Sequence, residues 1–326
     1  MNNQPKVSVI IPVYKAEKYI ERCARSLFSQ TLNNIEYIFV DDASPDKSMD
    51  IVYRVLEEYP ERQHQVKIIR HDINCGVGQS RQDGLDSSTG EYIIHCDPDD
   101  WAEPNMYESL YLKANKDNAD IVICDYILET GNGNHLMPQK PKGLTPDEVL
   151  SDIAEGKIYG SFWNKLIKAE TIVHNNIRLI SNLNVCEDLF FFLLLLKHKV
   201  KIAYLSEGLY HYDYIINPNS IQRTSLPNHI FLDEQIISLS KNILSEEKYQ
   251  RQQAAIITGA LFHLFQIQSC SNREFRRRYS PYKGLVNKND NLNLAYKFFL
   301  QLSLLGLKSQ SQKCFFLLKR IKRLFS

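Results

Sequence analysis

Asp97, Asp99 and Asp100 place three carboxylates within four positions, directly after the strand-like run Glu91–His95. Like charges this close raise one another's pKa unless something positive sits among them. A hard divalent cation, Mn2+ or Mg2+, meets that need because it takes oxygen ligands and can bridge to phosphates. The same residues also suit an acidic turn that caps the next helix, with Pro104 in its first turn. Further polar groups close other apolar runs: Pro12, Val13 and Tyr14 after the first, Asp41 and Asp42 after the second. At a strand end, an Asp can hydrogen-bond a base or ribose, and an aromatic such as Tyr14 can stack on a base.

The elements that position these groups alternate along the first 125 residues. Apolar runs at 7–12, 35–40, 66–70, 92–96 and 121–125 read as strands, and the stretches between them carry apolar residues at helical spacing. Such alternation implies βαβ units and an α/β fold with a mainly parallel sheet flanked by helices. Right-handed crossovers bring the carboxyl ends of the strands to one edge, where open α/β sheets bind ligands. A dinucleotide fingerprint, Gly-x-Gly-x-x-Gly after the first strand, is missing; Pro12 to Glu17 stand there instead. A Walker loop is missing too.

Bulk properties narrow the class. A net charge of +1 argues against a chain built to neutralise nucleic-acid phosphates, so no nucleic-acid partner is expected. Seven scattered cysteines form no Cys-x-x-Cys pair, which suggests neither a zinc site nor a disulfide framework and fits a reduced, cytoplasmic setting. The N-terminus carries no signal-peptide pattern. The apolar run Leu189–Leu196 is far shorter than the ~20 residues of a spanning helix, so no transmembrane segment is expected.

Taken in order, Val7–Tyr14, Ser29–Thr31, Val40–Ser44, Gly90–Tyr92 and Asp97–Trp101 resemble the family 2 glycosyltransferases. The likeness continues less densely through Trp163–Leu166, Glu187-Asp188 and Leu209–Tyr212, and so covers roughly residues 5–215. Ala43 departs from it where glycine is usual, and Gln82-Asp83 where Asn commonly follows the arginine. The resemblance implies the GT-A fold, assigned to 1–220, and a nucleotide-diphospho-sugar donor; 221–326 is expected to be a helical C-terminal region.

It also implies residue roles. Asp42 hydrogen-bonds the nucleobase with Asp41 close by, and Pro12, Val13 and Tyr14 line the base pocket. Arg81 faces the ribose or diphosphate. Asp97 and Asp99 form the Asp-x-Asp pair, Asp97 nearer the ribose and Asp99 the better metal ligand. Asp100 is a further candidate ligand, and so is His211, which also reads as a packed strand residue. Glu187 and Asp188 lie on the acceptor side, with Asp188 the general base of an inverting reaction; a helix cap is the plain alternative for both. Trp163 reads either as acceptor wall or as core, and His95 as structural.

Past residue 220, stretches near 228–245, 249–269 and 292–307 read as helices, with a basic break at 272–279. The segment 313–325 has no acid and places Cys314, Leu317, Leu318, Ile321 and Leu324/Phe325 on one helical face. That pattern suits an anionic membrane surface or packing on the protein. The expected activity is therefore a metal-dependent inverting transferase, UDP-sugar favoured. It would extend a saccharide or lipid-linked saccharide in surface polysaccharide synthesis, as a cytoplasmic protein peripheral at the inner membrane face. The alternative is a non-catalytic nucleotide-sugar-binding or scaffold member of the same fold.

Overall fold

The computed structural model describes residues 4–214, 229–266, 271–289 and 292–324, with side chains left out at 229–230 and 318–324. The chain separates into two compact units, Met1–Ile221 and Gln222–Ser326. The boundary expected at residue 220 falls within 215–228, outside the described residues.

In the first unit, β1 (Val7–Val13) is buried at every position, the pattern of a central parallel strand covered on both faces. It pairs in parallel with β2 (Ile35–Asp41) and β4 (Tyr92–His95), and β2 pairs in parallel with β3 (Val66–Arg70). Helix α1 (Ile20–Phe28) buries Ile20, Cys23, Ala24, Leu27 and Phe28 on one face. Helices α2 (Ser48–Glu57) and α3 (Val77–Ser87) complete the crossovers. Gly84 lets α3 approach β1: a Cβ there would lie 2.4 Å from Ile10 Cγ2. Gly76 takes φ 88° just before α3, a conformation that favours glycine.

The remaining strands make the sheet mixed rather than mainly parallel. Strand β5 (Trp101–Ala102) is followed by α4 (Met106–Asp117) and β6 (Ile121–Thr130), and β6 folds back as β7 (Gly133–Met137). After α5 (Pro146–Ala154), β8 (Lys165–Lys168) inserts between β4 and β6, antiparallel to both. Helices α6 (Ala169–His174) and α7 (Glu187–Leu195) lead to β9 (Ile202–Asp213), parallel to β6 and antiparallel to β5. Leu209–Tyr212 thus belongs to a strand that begins at Ile202, irregular where its register against β6 slips at Asp125.

The second unit is helical: α8 (His229–Ile243), α9 (Gln250–Gln266), α10 (Asn272–Tyr279), α11 (Lys283–Lys288), α12 (Leu294–Leu302) and α13 (Lys308–Leu324). Ile237, Leu261, Phe265, Phe275, Leu300 and Phe315 belong to its core. The basic stretch 272–279 is a helix, not a break. Phe275 and Tyr279 lie one turn apart and are buried, and Ser271 Oγ accepts the Glu274 amide as a cap. Helix α13 packs through Lys308, Ser311 and Phe315, which leaves Cys314 exposed and Leu317 59% exposed. The other members of its expected apolar face, Leu318, Ile321, Leu324 and Phe325, lie outside the described side chains. Among the described residues no helix is long and apolar enough to cross a membrane.

Candidate active site

The carboxyl ends of β1, β2 and β4 share one sheet edge, and the polar residues after them gather there. Register pairs Val13 with Asp41, and the Asp42 amide donates to the Val13 carbonyl at 3.0 Å. Pro12 and Val13 are buried, whereas Tyr14 is 42% exposed with the Lys15 ammonium 5.1 Å from its ring centroid. Asp41 remains partly accessible and accepts the Ser44 amide at 3.0 Å. Between them Ala43 holds φ 53°, which accounts for the glycine usual at this position.

Asp42, expected to hydrogen-bond the nucleobase, lies at the same edge. Only 3% exposed, it accepts the Cys75 and Gly76 amides at 2.7 and 2.9 Å and contacts His71 Nδ1 at 2.8 Å. Its carboxylate therefore fixes the 71–76 segment, and Asp41 beside it is the more accessible of the two.

The acidic turn divides in two. Asp97 and Asp99 are partly accessible, while Asp100 is buried and accepts the Tyr210 hydroxyl at 2.8 Å and the Asp213 amide at 2.8 Å. Burial, with the charges of Asp99 and Asp97 beside it, pushes the Asp100 carboxyl well above the usual range. Asp100 thus braces the turn against Tyr210 and Asp213. His211 does not meet the turn as Tyr210 does, because successive residues of β9 face opposite sides of the sheet. Tyr210 meets the turn, and His211 stacks on Trp101 at 4.6 Å with its ring nitrogens 2.7 and 2.8 Å from Glu129 and Glu103. The oxygen-only pair Asp97 and Asp99 still fits a hard cation.

Arg81, expected to face ribose or diphosphate, contacts two carboxylates. It is buried, and its guanidinium donates through Nη2 to Asp97 Oδ1 at 2.6 Å and through Nη1 to Glu187 Oε1. One planar cation thereby ties the turn after β4 to the start of α7. Asp188, next along, is half-buried, with Oδ1 accepting the Leu189 amide at 2.7 Å. Burial pushes its carboxyl up, and the charge of Arg81 partly offsets that. Trp163 packs in the core: it is 4% exposed and stacks on Tyr210 at 4.6 Å and Tyr212 at 5.7 Å. His95 is structural, buried with its ring 4.3 Å from that of Phe162.

Two residues that matter here carry no sequence signal of their own. Arg22 donates to the Asp99 carbonyl at 2.9 Å and pairs with Asp213 at 2.8 Å, its guanidinium 3.7 Å from the Trp101 ring centroid. Buried Lys165 donates to the carbonyls of Tyr159 and Ser161 and to Asn164 Oδ1, at 2.6, 2.9 and 2.8 Å. Both act over long sequence separations or through backbone carbonyls, which periodicity cannot reveal.

The sequence model of Glycosyl transferase family 2 matches residues 8–170, which contain the base-side edge and the acidic turn. The chain belongs to this family. The Bacillus subtilis protein EpsH is 35% identical over 214 residues, 64% of this chain and 60% of its own length. The cholesterol galactosyltransferase of Borreliella burgdorferi is 31% identical over 218 residues, 63% of this chain and 59% of its own. The chain thus spans about 60% of the length of these two relatives. Among solved structures, Staphylococcus aureus TarS 1-349 in complex with UDP-GlcNAc superposes with a TM-score of 0.72 at 18% identity, over 94% of this chain and 89% of that one. The Pyrobaculum calidifontis mannosyltransferase PcManGT, in complex with GDP-Man and Mn2+, gives a TM-score of 0.55 at 14% identity, over 95% and 87%. These likenesses establish the family 2 GT-A fold.

Proposed function

We propose that this family 2 protein transfers a sugar from a nucleotide-diphospho-sugar, UDP-sugar favoured, to a saccharide or lipid-linked saccharide, with inversion. The observation that carries the reading is the Arg81 bridge between Asp97 and Glu187, which sets Asp188 beside the donor-side turn. Family membership, and the donors named in the titles of TarS and PcManGT, support the donor class.

In this reading Asp42 hydrogen-bonds the base with Asp41 and Tyr14 close by, and Pro12 and Val13 form the floor beneath. Asp97 and Asp99 would hold Mn2+ or Mg2+ at the diphosphate, where a bound ion stabilises charge on the leaving group. Asp188 takes the proton of the acceptor hydroxyl as the new glycosidic bond forms and the bond to the diphosphate breaks. Its partly enclosed setting raises its basicity, and its fixed place at the start of α7 supplies orientation. Arg81 acts through its two carboxylates and holds donor side and base in register.

Surface polysaccharide or glycolipid synthesis is the process we assign, consistent with a relative named as a minor teichoic acid biosynthesis protein. We place the enzyme in the cytoplasm at the inner membrane face. The exposed Leu317 beside Lys313 on α13 supports contact with anionic lipid. The test is a panel of nucleotide sugars screened by thermal shift with and without Mn2+, followed by transfer assays with the donor that binds. Selective stabilisation by one donor, strengthened by metal, is expected. Stabilisation by none would favour a scaffold role instead.

A further inference from the structure

We propose that the helical unit carries a binding site for an acidic saccharide, a sugar bearing phosphate or carboxylate, in a cavity lined by α8 and the end of α10. The chain's net charge of +1 averages two unlike halves. Met1–Ile221 holds twenty-two lysines and arginines against thirty-two aspartates and glutamates, whereas Gln222–Ser326 holds seventeen against six. Positive charge concentrated in one unit draws anions to that unit. Arg273, Arg276, Arg277 and Lys283 stand exposed along α10 and just after it.

The cavity has a volume of about 350 Å³, the scale of a small-molecule site. Glu234, Ser238 and Asn242 recur every fourth residue of α8 with Lys241 beside them, so one helical face lines it. Arg278, near the end of α10, and Tyr282, just beyond it, supply further lining. Some of these groups form a fixed frame. Arg278 donates to Glu234 Oε1 at 2.8 Å and pairs with Glu274 at 2.7 Å, and the Tyr279 hydroxyl donates to the same Glu234 oxygen at 3.0 Å. Glu234 Oε2 is left to accept from a hydroxyl. Other groups are open to a ligand. Among the described residues, the Ser238 hydroxyl and the Asn242 amide have no hydrogen-bond partner and Lys241 has no carboxylate. The Lys241 ammonium lies 5.6 Å from the Tyr282 ring centroid.

This set matches an acidic sugar group by group. The carboxylate oxygen, amide and hydroxyl serve ring hydroxyls, and the Tyr282 face can take the C–H side of a pyranose. Lys241 is the charge that meets the phosphate or carboxylate. A concavity of this size selects a discrete ring over a duplex or a bilayer, which present their charge on an extended surface. Binding here is independent of the donor edge. Its use, to hold a negatively charged acceptor, rests on the activity given under Proposed function.

The probes are glucose 1-phosphate and glucuronate, titrated into the full metal-free chain and followed by saturation-transfer NMR, with glucose and inorganic phosphate as comparisons. One acidic sugar should bind more tightly than either comparison, and which one does identifies the anion. Lys241→Ala, at an exposed position, should weaken that binding about tenfold or more, the size of one charged hydrogen bond, while Lys313→Ala leaves it unchanged. Equal binding of inorganic phosphate, or affinity unchanged in Lys241→Ala, overturns the site. Should neither sugar bind while phosphatidylglycerol vesicles do so through Lys241, the cavity reads lipid headgroups and the proposal falls. In transfer assays with an acidic acceptor, Lys241→Ala should raise the acceptor KM and leave kcat and the donor KM unchanged. An unchanged acceptor KM removes the acceptor role and leaves the binding site standing. Absence of transfer by the unaltered protein counts against the proposed activity alone.

Discussion

Arg81 binds Asp97 and Glu187 at once, with the three groups drawn from α3, the end of β4 and the start of α7. Bidentate reach is a property of the planar guanidinium, and an ammonium cannot span two separated carboxylates in the same way. Arg81→Lys is therefore expected to lose one of the two contacts and to separate the donor-side turn from α7. Removing one partner of a buried pair costs about 3–5 kcal/mol. Thermal unfolding should show that loss, and donor binding should weaken together with transfer.

Asp188 gives a pH signature. A base works deprotonated, so transfer falls as pH drops through its folded-state pKa. Burial pushes that value up, which places the acid limb of kcat/KM above the ordinary aspartate value. A pH profile measured from acid to neutral checks it; an acid limb at or below the ordinary aspartate value would argue that another group is the base.

Lys165 closes three acceptors with three donors inside the fold. Lys165→Met leaves the Tyr159 and Ser161 carbonyls and Asn164 Oδ1 without that donor, at roughly 1–3 kcal/mol for each unsatisfied group. We expect a stability loss of about 3 kcal/mol or more by chemical denaturation. The loop 159–164 packs on Leu189 through Gly160, so transfer should fall further than donor binding.

Trp163→Ala tests the assignment of this indole to the core. Stacked on Tyr210 and Tyr212, it should cost about 3–5 kcal/mol in stability. An acceptor-wall role would instead raise the acceptor KM with stability unchanged.

Much of the α/β frame was legible because its strands are buried on both faces and read as unbroken apolar runs, as in Val7–Val13. Strand β8 was not: four residues, Lys165–Lys168, are too short to show a period, and they make the sheet mixed. The 272–279 helix was hidden by its arginines, since only Phe275 and Tyr279 mark its inner face. Within the site, residue types named the carboxylates but could not say which ones face solvent. Asp99 and Asp100 are neighbours in sequence, yet one is partly open and the other spans Tyr210 and Asp213. Likewise the resemblance turned Arg81 toward ribose or diphosphate, and nothing in the sequence showed that it also bridges Asp97 and Glu187.

The central claim, that Asp188 deprotonates the acceptor while the nucleotide is held elsewhere, is tested most directly by Asp188→Asn. Donor affinity and transfer should be measured on the same preparation. We expect donor binding within about twofold of the unaltered protein, with transfer reduced at least 10²- to 10⁴-fold, the usual worth of a general base. Transfer at the unaltered rate in Asp188→Asn would contradict the account.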